Sequence, residues 1–240
     1  MKLGVMTDIH NNLTALKVAI ERFQQLECDK IICCGDIIGI GPYPEETVKY
    51  MMQIPNLIAV RGNHEKYLLD KMPNKYPNEE QMSFEEMEHH KWEHCLLSTE
   101  SVNFLRNLPY QVNVEYENYR LCIMHYCMDY EGHYVHYKTN PSKEDLKNMF
   151  ADVNSDIILY GHDHCRNICN GDKLYINVGS LGCPAQDINI ARAGIVTLEK
   201  GRIDVEPMDI EYDVNDVIKT IDDINYPDAD NIKKYFYGVW

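Results

Sequence analysis

Short apolar runs alternate with a helical pattern over the first sixty residues of the chain. Residues 3–7, 30–34 and 57–60 are apolar runs typical of buried strands. Between the first two runs, apolar residues recur at helical spacing over residues 13–23, after a pair of asparagines that can cap a helix. Pro44, followed by two glutamates, favours a second helix start. The order strand, helix, strand, helix, strand predicts a parallel βαβ core in an α/β fold.

Residues 66–108 depart from this pattern. The segment is polar and rich in methionine and aromatic residues, and it is helical in character from about residue 83 to residue 105. Pro73 and Pro77 break the part that precedes this stretch. We therefore predict a helical insertion over about residues 66–108.

Alternating apolar and polar positions dominate from residue 110 onward and predict strands. Residues 156–160 add a short apolar run. Three pairs of alternating segments flank short polar turns, an arrangement that predicts β-hairpins. The pairs are residues 112–116 with 119–123, 166–168 with 174–178, and 195–198 with 203–205.

Residues 211–240 contain two weakly amphipathic stretches separated by Pro227. They predict a C-terminal helical extension behind one domain over residues 1–210. The chain has 240 residues, of which 45% are hydrophobic and 25% are charged. This is ordinary globular composition, so a sizeable core is expected and disorder is not.

The chain is strongly acidic, with a formal net charge of −15 from 23 Lys and Arg against 38 Asp and Glu. Such a field repels a nucleic-acid duplex unless a basic groove exists, and no run of Lys and Arg can form one. No apolar run approaches the roughly 20 residues that span a bilayer, so no membrane partner is expected. Nine cysteines, several of them inside apolar runs, and a charged start to the chain indicate a reducing, cytoplasmic setting.

Five short polar motifs follow predicted strands directly or lie in the adjoining loops. Ligands of open α/β sheets bind beyond the carboxyl ends of the strands, so these motifs occupy the expected place for a site. The motifs are Asp8-Ile9-His10, Gly35-Asp36, Gly62-Asn63-His64-Glu65, His125 and Gly161-His162-Asp163-His164.

Each motif alone has an ordinary structural explanation. Asp8 and His10 can serve as a helix cap, Asp36 follows a glycine in a common turn, and His125 can be a core histidine with satisfied hydrogen bonds. Together, the motifs supply seven Asp, Asn and His side chains at strand ends, and such side chains are suitable ligands for Mn, Fe, Co or Zn. Seven ligands are enough for two ions if one carboxylate is shared. The set therefore predicts a two-metal site.

Taken in order, the motifs resemble the signature of the calcineurin-like metallophosphoesterases: Asp-x-His, Gly-Asp, Gly-Asn-His-Glu, His and Gly-His-x-His. The resemblance covers roughly residues 1–208, and residues 35–42 and 177–184 look like those of small bacterial and archaeal single-domain members. It implies a four-layer α/β fold, in which two mixed β-sheets pack as a sandwich flanked by helices. It also implies an enzyme that hydrolyses phosphate esters.

The resemblance further implies the ligands of each metal. The ligands of the first metal would be Asp8, His10 and His164. Those of the second metal would be Asn63, His125 and His162. Asp36 would bridge both ions. The implied cofactors are two divalent transition-metal ions from among Mn, Fe, Zn, Co and Ni, with Mn expected to support activity in vitro.

Two more residues are implied to act in catalysis. His64 would lie beside the scissile phosphate and protonate the leaving oxygen, and Glu65 could orient its ring. Arg61 would hold phosphate oxygens with its planar guanidinium, as in the serine/threonine phosphatase branch of the family. The expected reaction is hydrolysis of phosphomonoesters or phosphodiesters of small or moderate size by a metal-bridging hydroxide.

Other functions remain open from the sequence. Residues 61–65 also favour a serine/threonine phosphoprotein phosphatase acting on a peptide, for which a shallow open groove is expected. A non-catalytic scaffold on this fold, like the retromer subunit that resembles metallophosphoesterases, would have lost ligands or the catalytic histidine. Every such position is filled here. A DNA-processing nuclease conflicts with the acidic charge.

The predicted insertion raises two further hypotheses. Because it follows His64 directly and is rich in large apolar residues, we hypothesise that it restricts access to the site. His90 and His94 are spaced as a metal pair on a helix, but His89 beside them in a polar segment favours a solvated helix face. The large apolar residues are Tyr67, Met72, Tyr76, Met82, Phe84 and Trp92.

Overall fold

A computed structural model describes residues 1–70, 72–78, 82–129, 133–135, 138–183, 187–224 and 226–239 of the chain. The strands are β1 (Lys2–Met6), β2 (Lys30–Cys33), β3 (Leu57–Ala59), β4 (Gln111–Tyr116), β5 (Tyr119–Met124), β6 (Ile157–Leu159), β7 (Asn167–Asn170), β8 (Leu174–Asn177), β9 (Ile190–Glu199) and β10 (Arg202–Glu211). The helices are α1 (Leu13–Gln25), α2 (Pro44–Met51), α3 (Asn63–Leu69), α4 (Phe84–Leu96), α5 (Thr99–Asn107), α6 (Lys143–Met149), α7 (Val214–Asp223) and α8 (Ala229–Tyr237).

The strands form two mixed five-stranded sheets. In the first, with the order β10-β9-β1-β2-β3, strands β1, β2 and β3 are parallel and β9 runs antiparallel to both of its neighbours. In the second, with the order β4-β5-β6-β8-β7, the three central strands are parallel and the two edge strands are antiparallel. The predicted βαβ core and the three predicted hairpins are confirmed.

An apolar layer joins the two sheets face to face. Val5 and Ile32 of the first sheet share one buried cluster with Ile123 and Leu159 of the second. Because side chains alternate along a strand, the neighbours of these residues face outward toward the helices. Ile158, for example, packs in the separate cluster that contains residues of α6. This is the sandwich with flanking helices that the motif resemblance implied.

Helices α1, α2, α5, α7 and α8 contribute to the apolar cluster on the outer face of the first sheet. Helix α1 begins where the sequence predicted, because the Asn12 side chain accepts a hydrogen bond from the Ala15 amide at 3.0 Å. Its inward face includes Phe23, which is fully buried. Burial of such a side chain contributes roughly 1.5–3 kcal/mol to stability.

The β9–β10 hairpin is longer than the sequence predicted. Each strand has ten residues, and their pairing runs from Arg202 opposite Glu199 to Glu211 opposite Ile190. Pro207 hides this length in the sequence, but a proline is tolerated here because β10 is an edge strand. Strand β10 thus occupies the first residue of the predicted extension, and the division of the chain near residue 210 stays a prediction. Among the described residues, no helix is long and apolar enough to cross a membrane.

Candidate metal centre

Five strands deliver the candidate ligands to one end of the sandwich. Strands β1, β2 and β3 of the first sheet, and β5 and β6 of the second, are followed at their carboxyl ends by the polar motifs. The structure brings all seven predicted ligands together there. They are Asp8, His10, Asp36, Asn63, His125, His162 and His164.

The predicted ligands of the first metal form one compact group. His10 Nε2 lies 2.9 Å from His164 Nε2, and these two atoms lie 3.8 and 3.6 Å from Asp8 Oδ1. The Asp8 carboxylate is held in place by the Thr7 hydroxyl, which donates to Oδ2 at 2.8 Å. Ligands bonded to one ion at about 2.1 Å lie about 3–3.5 Å apart, so this spacing approaches that of a metal site.

The predicted ligands of the second metal form a second compact group. Asn63 Oδ1 lies 3.0 Å from His125 Nε2 and 2.9 Å from His162 Nδ1. The two imidazole nitrogens are 3.2 Å apart. Asn63 reaches this position because it is the first residue of α3, which begins immediately after the turn that ends β3.

Asp36 lies between the two groups. Its Oδ2 is 3.9 Å from His10 Nε2 and 3.2 Å from His125 Nε2. Burial disfavours the charged carboxylate, but the facing His125 and His64 outweigh burial and hold the pKa of Asp36 well below its usual range. An ionised carboxylate at this position can serve ions on either side.

The hydrogen bonds of two histidines show that their lone pairs point into the site. His10 Nδ1 lies 3.1 Å from the Ile38 carbonyl oxygen, and His125 Nδ1 lies 2.8 Å from that of Cys34. A carbonyl oxygen only accepts, so Nδ1 donates and each ring directs Nε2 inward, where the neutral form of the ring presents a lone pair. There, His125 Nε2 faces the Asn63 oxygen, which is also an acceptor. A cation satisfies this convergence of acceptors, so the residues fit a bound metal.

Burial favours the neutral form of the imidazole rings of His10 and His162. It lowers the pKa of His10 and that of His162 to about 4 each. Burial also disfavours charge on His125, but the Asp36 carboxylate beside it prevails and raises the pKa of His125 to about 9. A proton and a metal ion compete for the same lone pair of His125, so metal binding releases a proton there.

The backbone is strained at five of the candidate ligands. The φ angles of Asp8, His10, Asp36, His162 and His164 are 53°, 49°, 51°, 79° and 56°. This left-handed region is uncommon for residues other than glycine, and such strain concentrates at functional sites, where the fold compensates for it. The chain therefore turns sharply after β1, β2 and β6, and these turns direct the polar side chains toward one site.

Two glycines allow the loops to approach the carboxylates closely. A Cβ atom on Gly62 would overlap the Asp36 carboxylate, and one on Gly161 would overlap Thr7 and approach Asp8 Oδ2 at 2.6 Å. Glycine is therefore required where the Asn63 and His162 loops pass the ligands of the neighbouring strands.

Glu65 is a fully buried carboxylate that holds the Asp36 loop in position. It accepts four backbone hydrogen bonds of 2.7–3.0 Å, from the amides of Asp36, Ile37, Ile38 and Gly62. The suggestion that Glu65 orients the His64 ring is wrong, because both of its oxygens are engaged by these amides. Its function is to fix the loop that carries the central carboxylate.

His64 lies against the metal centre. Its Nε2 is 3.9 Å from Asp36 Oδ2, and its ring centroid is 4.8 Å from that of His10 and 5.0 Å from that of His90. Burial holds the pKa of His64 well below its usual range. One of its ring nitrogens lies close enough to His10 and Asp36 for all three to hold one ion, so its predicted role away from the metals stays a prediction.

Arg61 points away from the predicted ligands. Its Nε donates to the Leu108 carbonyl at 2.8 Å and its Nη2 to the Arg106 carbonyl at 2.6 Å. The guanidinium also lies over the Tyr110 ring, 4.7 Å from its centroid. These contacts tie β3 to the segment after α5 and favour a structural role. The holding of phosphate by Arg61 stays a prediction that this geometry does not support.

The histidines of α4 are not on a solvated face, contrary to the favoured interpretation of the sequence. His89, His90 and Glu93 are buried, and Glu93 Oε1 accepts from the Asn11 side chain and the Gly39 amide, each at 2.5 Å. Their burial was missed because the inward face of α4 carries His and Glu where apolar residues normally mark it. A ligand atom from each of His90, Glu93 and His94 lies within 4.8 Å of the others, so these three could also hold a metal ion.

A cavity of about 420 Å³ opens on the metal centre. Its floor includes Asp36, Asn63 and His64, and its walls come from α4 with its preceding turn and from α8. The predicted insertion thus borders the site through polar residues, while its apolar Tyr76 and Phe84 are mostly exposed. The residues of the insertion that line the cavity are Ser83, Glu86, His89 and His90.

Comparison with known proteins establishes the family. The model of the calcineurin-like phosphoesterase superfamily domain matches residues 1–201. The chain belongs to the calcineurin-like phosphoesterase superfamily. The resemblance drawn from the motifs is confirmed, and the clustered Asp and His side chains agree with the metal dependence of this family.

Two proteins are similar to this phosphoesterase in sequence, and a third is similar to it in structure. A protein of Methanocaldococcus jannaschii described as uncharacterized is 25% identical in an alignment of 242 positions, gaps included, that covers 91% of each chain. A phosphodiesterase of the same organism is 25% identical over 201 residues, which cover 83% of this chain and 95% of that one. The crystal structure of a metallophosphoesterase from Sphaerobacter thermophilus shares the fold, with 20% sequence identity and a TM-score of 0.73. The match covers 100% of this chain and 99% of that one.

Proposed function

We propose that this phosphoesterase uses two divalent transition-metal ions to hydrolyse phosphomonoesters or phosphodiesters of small molecules. The observation that carries the proposal is the arrangement of six candidate ligand side chains in two groups of three, one on either side of Asp36. Two bound ions supply Lewis-acid activation of a phosphoryl oxygen and of water. Mn, Fe, Zn, Co and Ni all suit such mixed nitrogen and oxygen ligands, and Mn is the first choice for reconstitution in vitro.

The residues of the chain have distinct tasks in the proposed reaction. The carbonyls of Ile38 and Cys34 keep His10 and His125 in the tautomer that presents Nε2 to the site. Glu65 keeps the Asp36 loop rigid through four amides, so the shared carboxylate does not need to reorganise during the reaction. His64, which directly follows Asn63 in the first turn of α3, would protonate the leaving oxygen.

The shape of the site supports a small substrate over a phosphoprotein. A serine/threonine phosphoprotein phosphatase is expected to present an open groove, whereas here α4 and α8 both border a cavity of about 420 Å³. We propose that the insertion restricts access to the metals through this wall. The relative described as a phosphodiesterase supports keeping diesters among the candidate substrates.

A non-catalytic scaffold is disfavoured because every proposed ligand and His64 is present and placed at the site. We further propose a cytoplasmic setting without membrane or nucleic-acid duplex as partner. The nine cysteines are free thiols, in agreement with a reducing compartment. The acidic net charge of −15 supports the exclusion of long nucleic acids.

A substrate screen of Mn-reconstituted protein tests the proposal. The panel contains aryl monoesters and diesters, sugar and amino-alcohol phosphates, nucleotides, cyclic nucleotides and phosphopeptides. We expect hydrolysis of small esters that the Asp36→Asn variant abolishes and the His133→Ala variant retains, because His133 is exposed and outside the two ligand groups. Preferential hydrolysis of phosphopeptides would favour the phosphoprotein phosphatase, and no hydrolysis of any ester at any metal loading would contradict the proposal.

A further inference from the structure

The outer part of the cavity is built by two elements that lie outside the strand-end motifs. Helix α4 and its cap supply Ser83 and Glu86 on one side. The C-terminal helix α8 supplies Asp228, Asn231 and the aromatic Tyr235 on another side. The ester group of a bound substrate must lie at the metal centre, so the rest of the molecule must contact these two helices.

The outer cavity carries acidic charge. Glu86 and Asp228 place a carboxylate on each of the two helices, and no lysine or arginine lines the cavity in the part of the chain that the structure describes. Asp228 precedes α8, but its side chain makes no capping hydrogen bond and instead accepts from the Asn231 amide group at 2.7 Å. The Asn231 side chain therefore holds the Asp228 carboxylate at the cavity wall, and no backbone amide of α8 binds it.

The proposed metal ions would attract the anionic ester group, whereas these carboxylates act on the rest of the substrate. Carboxylates that line the same cavity as the candidate metal ligands repel a second anionic group on the same substrate and attract a cationic one. Beside them, Ile232 and Phe236 offer apolar surface for a carbon chain. A hydrogen-bond donor at the far end of the substrate satisfies the carboxylates, whereas a second phosphate or carboxylate does not.

We propose that the cavity selects esters with a single phosphate whose alcohol part ends in a hydrogen-bond donor, in the first instance a protonated amine. Glu86 and Asp228 are the specificity-determining residues that reject a second anionic group. The proposal rests on the proposed function only in placing the phosphate at the metal centre. The substrate class is thus a singly phosphorylated amino alcohol or a similar small molecule.

Binding of non-hydrolysable analogues tests this selection without requiring catalysis. Alkylphosphonates with three to six methylenes are compared in three versions that differ only in a terminal ammonium, hydroxyl or carboxylate group. Calorimetry on the Mn-loaded protein should give the tightest binding for ammonium and the weakest for carboxylate. For at least one number of methylenes, we expect the Kd of the carboxylate analogue to exceed that of the ammonium analogue roughly fivefold or more. This ratio corresponds to the sum of two partly exposed charge interactions.

The double variant Glu86→Gln/Asp228→Asn should reduce this ratio to less than about twofold. The matched control is Glu85→Gln/Asp230→Asn, which removes two exposed carboxylates from the same helices but outside the cavity. It should retain the wild-type ratio. If the double variant does not fold, each single variant should lose about half of the discrimination on a logarithmic scale.

Two results would overturn the selection proposal. One is equal binding of the three analogues to the wild-type protein at every chain length. The other is an equal loss of discrimination in the control variant, which would assign the effect to overall charge. Hydrolysis of an aryl phosphate is measured in parallel, so that failure of the proposed function is recognised separately from failure of the selection.

Discussion

At the scale of single residues, Asp36 connects the two ligand groups, and its loss should affect both metals. We predict that Asp36→Asn lowers the metal content at both positions, whereas His10→Ala mainly weakens the first. The reason is that an amide binds cations more weakly than a carboxylate, and Asp36 faces His10 on one side and His125 on the other. Elemental analysis after dialysis against graded concentrations of Mn measures this difference.

Equal losses of both metals in His10→Ala would contradict the assignment of His10 to one group. The His133→Ala variant is the control, since it removes an exposed histidine that lies in neither group. Its metal content should equal that of the wild type.

His64 should affect chemistry more than metal binding. His64→Ala should keep both metals, lose about 10²–10⁴-fold in kcat on alkyl esters, and lose less on nitrophenyl esters. The physical reason is that a basic alkoxide departs poorly without a proton, whereas a nitrophenolate needs little help. Steady-state kinetics with both ester types measure the difference. Equal losses would indicate charge stabilisation or positioning, and loss of a metal would make His64 a ligand.

Glu65 should stabilise the loop that carries Asp36. In Glu65→Gln, the amide nitrogen must face at least one of the four backbone amides that the carboxylate now accepts. We predict a loss of about 3 kcal/mol in the free energy of unfolding, because a buried, charge-assisted network is left partly unsatisfied. Urea unfolding measures it, with the exposed Glu85→Gln as the control. A change below about 0.5 kcal/mol would refute the predicted role.

The sequence located the candidate ligands that the structure brings together, because strand ends and residue types were both informative. Asp8 and His164 are 156 residues apart, yet the rule that parallel strands present their carboxyl ends together brought them to one site. The direction of a long flexible side chain follows no such rule. Arg61 has the sequence position of a phosphate ligand, but its guanidinium contacts the carbonyls of Leu108 and Arg106, which only the folded chain places beside it.

At the scale of elements, the spacing of apolar residues predicted those strands and helices whose buried faces are apolar. Strands β1 to β3 and helix α1 were found within a residue or two, and α2 begins at the predicted Pro44, because their buried faces are apolar. The predicted helical stretch over about residues 83–105 is divided into α4 and α5, and the solvated face expected for α4 was wrong, since its buried face contains His89, His90 and Glu93. Pro207 shortened the predicted β10, because the sequence does not reveal which strands lie at an edge.

The contact of α4 with the segment between α7 and α8 should make stability depend on pH. His89 Nε2 lies 2.5 Å from the Tyr226 hydroxyl, and burial lowers the pKa of His89 to about 4 from its usual 6.5. A folded state that keeps this ring neutral binds fewer protons than the unfolded state. Its contribution is therefore fully present above pH 6.5 and is lost as the pH falls toward 4.

The predicted loss from His89 is on the order of 2 kcal/mol in the free energy of unfolding between pH 7.5 and pH 5. Urea unfolding at both pH values measures this loss in wild type and in His89→Gln, which stays neutral throughout. The variant should lose about 2 kcal/mol less than the wild type over this range. The exposed His133→Gln serves as the control, and the same pH dependence in His89→Gln and wild type would contradict the prediction.

At the scale of the whole molecule, each of the two sheets contributes part of the candidate metal centre. The first sheet supplies Asp8, His10, Asp36 and Asn63, and the second supplies His125 and the two histidines after β6. Packing of the sheets through their shared apolar layer thus assembles the site. Helices α4 and α8 border the cavity above the candidate ligands, and we propose that they restrict access to it. This wall of the cavity combines helices that are far apart in the sequence, so it was not predictable from the motifs.

Titration of metal-free protein with Mn, followed by hydrolysis of a nitrophenyl phosphate ester, tests the central claim most directly. The account predicts that activity is absent without metal, rises with added Mn and saturates at two equivalents per chain, and that Asp36→Asn removes it. Saturation at one equivalent would contradict a two-metal centre. Failure to hydrolyse the ester at any loading, by folded protein that binds the metal, would contradict the proposed phosphoesterase function.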